Sequence, residues 1–272
     1  MLERLSVKYL KNDRSMLSKA KRLVVGLMPR KFHCFCIGAE KTGTTTIAGM
    51  FSQNYRSGHE VDPGNTTQLI VDYVQGIVNE KQVITLLKKR DKLLNLEMES
   101  SHHFVHLSNL LPVLFQDAKF IITVREPYSL LESRLNWHTT PTKPAWKNYN
   151  DYFFKKYHTK HEAEEDILKS YNLYSLDTYL KQYSDHYKYI NDNIPAKKRI
   201  FIKTKRLNES KEKIASFLNI QKNTISITHS KKNKDKKKIL MQMDQSFVRR
   251  KIWENCSDII KDFFPETVLY YK

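Results

Sequence analysis

The chain has 272 residues, enough for one domain with appendages and a sizeable buried core. Its net charge of +18 implies an acidic partner: a nucleotide, an anionic glycan, an anionic membrane surface or nucleic acid. No stretch approaches the ~20 apolar residues of a membrane span, and three cysteines are too few for a disulfide framework or a four-cysteine zinc site.

Residues 1–30 are basic and partly amphipathic, with Leu2, Leu5, Val7, Leu10, Met16 and Leu17 set among Lys and Arg until Pro29 ends the run. They read as a helical arm packed on the domain; a peripheral contact with anionic lipid is the alternative. Val24–Met28 is too short for a signal segment, so a cytoplasmic setting is expected. The main α/β domain then spans 31–228. Phe35 to Ile37 suits a buried strand, and the Cys34-x-Cys36 spacing puts both thiols on one face as core.

After that strand come Gly38, Lys41, Gly43 and the threonines Thr44, Thr45 and Thr46, leading into an apolar helix start. A strand, a glycine-containing turn and a helix N-terminus make an anion site, because free backbone N–H groups and the helix dipole both favour negative charge. Lys41 adds a mobile cation and the hydroxyls add donors. The pattern is not a Walker A loop: Thr44 stands where the lysine belongs, and Lys41 precedes the second glycine.

Further along, 59–64 is an extended step into a turn and 65–92 reads as helical. Leu93–Met98 is a second candidate strand, followed by a polar turn with Glu99 and His102, and a helix through 105–115. Lys119–Val124 is the clearest buried strand, β-branched or aromatic continuously from Phe120, as in a parallel sheet covered on both faces. Tyr128–His138 returns to helix. Residues 139–165, rich in Pro, Lys, Tyr and His, look like an inserted loop or lid. A long helix over 166–193, a last strand at Arg199–Lys203, an amphipathic helix at 207–218 and a final helix at 244–263 complete the order. The run 229–238 is a basic loop or an anion site, within a C-terminal appendage at 229–272. Alternating strands and helices predict a central, mostly parallel sheet flanked by helices, with ligands at the C-terminal strand ends.

Arg125 ends the 119–124 strand and Ser133 follows in the next helix, a guanidinium fork and a hydroxyl suited to a phosphate monoester. A cation there also differs from the acidic residue that holds Mg²⁺ at a Walker B strand end.

Together, Glu40-Lys-Thr-Gly-Thr-Thr and Arg125-Glu-Pro…Ser133 resemble the two nucleotide sites of sulfotransferases that use 3′-phosphoadenosine 5′-phosphosulfate (PAPS). Glu40 replaces the usual proline. The resemblance, over roughly 33–235, implies a P-loop-like α/β fold, PAPS as co-substrate, its 3′,5′-bisphosphate as product, and no metal. It implies that Lys41, Thr42, Gly43, Thr44, Thr45 and Thr46 hold the 5′-phosphosulfate, and that Arg125 and Ser133 hold the 3′-phosphate. Lys203 or one of Lys231–Lys238 would add to the latter. Lys41 would stabilise the leaving phosphate. The general base is Glu60, or else Glu99 or His102. The acceptor, a hydroxyl or amine on a carbohydrate, lipid or small alcohol, is left open. The alternatives are an atypical P-loop phosphotransferase and a non-enzymatic basic protein binding nucleic acid or membrane. Nucleic acid is not expected as the main partner.

Overall fold

The structure, a computed structural model, describes residues 28–227 and 237–272. The reading of the N-terminal arm, and of the basic run before Lys237, therefore falls outside the described residues. Five short strands form one all-parallel sheet in the order β2-β3-β1-β4-β5: β1 (Cys34–Cys36), β2 (Ser57–His59), β3 (Met98–Ser100), β4 (Lys119–Val124) and β5 (Arg199–Lys203). The helices are α1 (Thr44–Phe51), α2 (Pro63–Val74), α3 (Glu80–Leu94), the single turn α4 (Leu111–Leu114), α5 (Pro127–His138) and α6 (Pro144–Tyr157). After these come α7 (Asp166–Ser170), α8 (Leu176–Asn193), α9 (Lys211–Leu218), α10 (Gln245–Phe263) and α11 (Val268–Tyr271). The expected α/β class with a parallel sheet between helices is what the chain adopts.

Strand alternation decides what lies on each side of the sheet. Cys34, Cys36, Met98 and Ile121 face one layer, packing with Ile47, Met50 and Phe51 of α1 and Ile214 and Leu218 of α9. Phe35, Phe120, Ile122 and Val124 face the other, larger layer, built from α2, α3, α5, α8 and α10. The two strand cysteines are buried and unpaired, and burial pushes the Cys36 thiol up to about 11. They are core, as their spacing predicts.

Several boundaries differ from the sequence reading. The second strand is displaced to Met98–Ser100 because α3 runs on to Leu94, started by an Asn79/Gln82 capping box and stopped at left-handed Asn95. Ser57–His59, of which the sequence reading has only His59 extended, at the start of a step into a turn, is an edge strand paired to β3. The supposed loop at 139–165 contains α6, whose Tyr149, Phe153, Phe154 and Tyr157 are buried at helical spacing. The long helix expected over 166–193 is broken at left-handed Asn172 and restarts at α8, where the Ser175 hydroxyl accepts from the Thr178 N–H.

Chain order places the crevice. From β1 the chain moves outward to β2, returns through β3 and then crosses to β4, so β1 lies at the switch point where open α/β sheets take their ligands. Gly38, just beyond β1, runs against β4: a Cβ there would lie 1.8 Å from Thr123 Oγ1 and 2.8 Å from the Thr123 nitrogen. Gly38→Ala is expected to cost about 1–3 kcal/mol through overpacking. Urea denaturation should show this as a lower midpoint with an unchanged slope.

Candidate functional site

The turn after β1 is built from the inside. Thr42 donates its N–H (3.2 Å) and its hydroxyl (2.6 Å) to the Ala39 carbonyl, and its Oγ1 meets Thr123 Oγ1 at 2.6 Å. The Thr204 hydroxyl, just past β5, donates to the Thr42 carbonyl at 2.5 Å. The structure therefore places Thr42, expected as a ligand, in the scaffold of the turn with its side chain buried. Gly43 (φ 103°) swings the backbone into α1, which starts without a side-chain cap. This helix N-terminus, without a side-chain cap, is an end of the kind that favours an anion. Thr45 is exposed, whereas Thr44 and Thr46 are buried.

Lys41 occupies the left-handed region (φ 65°), and its Nζ lies 4.4 Å from the Trp137 ring centroid on α5. Burial, with the Arg125 guanidinium acting in the same direction, lowers its pKa against the opposing Glu40 and Glu60 carboxylates. Arg125, just past β4, donates Nη1–H to the Lys41 carbonyl (2.9 Å) and Nε–H to Ser129 Oγ (3.0 Å). The Tyr183 hydroxyl on α8 holds the Arg125 backbone, donating to its carbonyl and accepting from its N–H at 3.2 Å. Arg125 Nη2 has no hydrogen-bond partner among the described residues. Ser133, expected to assist Arg125, lies on α5 one turn beyond Ser129, and it is Ser129 that touches the guanidinium. Ser129 was missed because the motif spacing pointed past it.

The ends of β2 and β3 bring a second group together. Glu60, also left-handed (φ 49°), aims Oε1 at His102 Nδ1, 3.0 Å away. Burial raises the Glu60 pKa, but the hydrogen bond and charge interaction with His102 outweigh it, and the net shift is downward. His59 Nε2 lies 3.1 Å from Thr44 Oγ1 and 3.2 Å from Thr45 Oγ1, joining this group to the turn. Nothing in the sequence singled out His59 beyond its place beside Glu60.

Glu99 stands apart from this group. It points to the opposite face of β3 and makes a bidentate pair with Arg90 of α3 (2.7 and 2.5 Å), the guanidinium also donating to the Val61 carbonyl. Lys203 turns to the C-terminal segment, its Nζ 3.7 Å from Glu266 and 5.1 Å from the Phe264 ring centroid. From the late basic run, Lys237 lies over the Tyr171 ring. Glu60, His102 and His103 have potential metal-ligand atoms within 4.8 Å of one another. Of these, Glu60 and His102 are bonded to each other, and His103 Nδ1 meets the Ser101 hydroxyl.

The described residues form an open parallel α/β sheet with a helix N-terminus that no side chain caps, a lysine and an arginine at its switch point. No family model matches the chain, and no curated protein sequence is similar to it. Among solved structures the chain is similar to a sulfotransferase from Alicyclobacillus acidocaldarius, at 14% identity and a TM-score of 0.48, over 86% of this chain and 96% of that one. Among the described residues, no helix is long and apolar enough to cross a membrane.

Glu99→Gln leaves the buried Arg90 guanidinium without its counter-charge and is expected to cost about 3–5 kcal/mol, read as a lower unfolding midpoint. Acid should weaken the fold early. Burial holds His103 and His106 well below the ordinary imidazole range and His186 at about 3. These groups stay neutral when folded but gain a proton when unfolded below about pH 6.5, so their contribution is intact above that pH. Each then removes up to about 1.4 kcal/mol per pH unit as the pH falls toward its folded value. Thermal melts between about pH 8 and about pH 5 should show a falling Tm, and His186→Gln should make the fall shallower.

Proposed function

We propose that the chain is a sulfotransferase that moves the sulfuryl group of PAPS to a hydroxyl or amine acceptor. The observation that carries this reading is the junction of the two anion sites, where Arg125 Nη1 donates to the Lys41 carbonyl at 2.9 Å. A nucleotide phosphorylated at both ends needs two cationic receptors fixed at one separation. This hydrogen bond joins a backbone-built receptor to a guanidinium-built one at adjacent strand ends. Gly43 and the threonine turn at α1 hold the 5′-phosphosulfate; Arg125, with Ser129 and Ser133 along α5, holds the 3′-phosphate.

In the transfer, the acceptor oxygen or nitrogen bonds to sulfur, the bond from sulfur to the bridging phosphate oxygen breaks, and the acceptor's proton leaves to a base. Lys41 neutralises the charge that grows on the departing phosphate. For the base, the geometry favours His102 over Glu60. An ionised carboxylate with a lowered pKa is a weak base, whereas it can orient an imidazole through Nδ1 and leave Nε2 to take the proton. His59 bridges to the Thr44 and Thr45 hydroxyls and keeps the transferred group beside them.

Calorimetry with 3′,5′-adenosine diphosphate against ADP tests the reading. The former is expected to bind more tightly, and Arg125→Ala to weaken it by about 10–100-fold, bringing it close to ADP, as fits loss of charge-assisted hydrogen bonds. Equal binding of the two nucleotides, or tighter binding of ADP, would point to a phosphotransferase instead.

A further inference from the structure

Glu40 is the residue of the turn that departs from the sulfotransferase pattern, and its side chain is bound in a specific way. One carboxylate oxygen lies 3.2 Å from both Arg134 Nε and His138 Nε2 on α5. These partners are themselves fixed: Arg134 Nη1 donates to the Tyr179 carbonyl at 3.1 Å, Arg134 Nη2 donates to Gln182, and His138 Nδ1 is 3.3 Å from the Tyr179 hydroxyl. Burial works to raise the Glu40 pKa, but His138 and Arg134 outweigh it and hold the carboxyl well below the usual range. The next residue, Lys41, adopts a left-handed backbone that costs a non-glycine residue of order 1 kcal/mol and must be held from outside.

We propose that Glu40 is a positioning residue for nucleotide binding. Its carboxylate, clamped by Arg134 and His138, fixes the turn so that the Lys41 ammonium meets the 5′-phosphate of the same nucleotide whose 3′-phosphate Arg125 holds. The usual proline restrains this turn through its ring, which locks its own φ; here the restraint comes through an ion pair to α5. That helix also supplies Ser129 to Arg125 and Trp137 to Lys41. One helix thereby sets the spacing of both receptors. The proposal rests on the nucleotide reading, and its test separates the two.

The test is a double-mutant cycle with 3′,5′-adenosine diphosphate, measured by calorimetry on the parent, Glu40→Gln, Lys41→Ala and the double variant. If Glu40 acts through Lys41, Glu40→Gln weakens binding by about tenfold in the parent but by less than about twofold in the Lys41→Ala background. A merely structural role would give the same loss in both backgrounds and would overturn the proposal, as would unchanged binding by Glu40→Gln. Should Glu40→Gln fail to fold, His138→Gln keeps the Arg134 contact, with a loss of about threefold expected, again confined to the Lys41 background. A parent protein that binds neither 3′,5′-adenosine diphosphate nor ADP overturns the nucleotide reading and the proposal with it.

Discussion

The hydrogen bond from Arg125 Nη1 to the Lys41 carbonyl is the constraint around which the site is arranged. It crosses from the end of β4 to the end of β1, strands paired in parallel with Phe35 opposite Phe120. At that point the sheet has no further hydrogen bonds to offer, and side chains take over. The Thr204 hydroxyl bonds to both the Thr42 and the Val124 carbonyls, and Tyr183, His186 and Tyr187 of α8 bond to the Arg125, Ile37 and Thr123 carbonyls. Buried carbonyls left unpaired would each be costly, so these residues both satisfy the strand ends and hold the receptors in place.

The two proposed receptors use different donors because their helices are capped differently. At α1 no side chain caps the N-terminus, an end of the kind that favours an anion. At α5 the Glu126 carboxylate accepts from the Tyr128 and Ser129 N–H groups, closing that end to a second anion. The C-terminal Tyr271 hydroxyl donates to the same carboxylate, tying the end of the chain to it. On the proposed reading, recognition beside α5 consequently falls to the Arg125 guanidinium and the serine hydroxyls of the helix. A lysine would serve poorly there, since it cannot span Ser129 and the Lys41 carbonyl with two fixed N–H bonds.

What was legible in the sequence follows from where the signals are local. β4 and β5 were legible at their true limits because Phe120–Val124 is continuously β-branched or aromatic and Ile200–Ile202 is an apolar β-forming run between Arg199 and Lys203. The turn from Gly38 to Thr46 was legible because glycines and a helix start are adjacent in sequence. β2 was not, since Ser-Gly-His carries no strand preference and is held extended by pairing with β3. α6 was hidden by polar residues between its four buried aromatics, whose burial depends on α2 and α8 being present. Site residues were missed for the same reason. Ser129 and Glu40 enter the proposed site through contacts with Arg125, Arg134 and His138 that no sequence spacing discloses.

The period of two along β3 separates the remaining candidates for proton transfer. Ser100 faces α1 and donates to the Thr44 carbonyl, so Glu99 must point the other way, where Arg90 occupies it fully. His102 lies beyond the strand, where alternation no longer applies and the chain turns into a short 3-10 helix facing Glu60. Three polar residues in close sequence thus have three fates: one braces the anion turn, one is spent in a buried ion pair, and one meets a carboxylate at the crevice. On the proposed reading, removing a proton from an acceptor beside the threonine turn falls to the Glu60–His102 pair, because a buried guanidinium already claims both oxygens of Glu99.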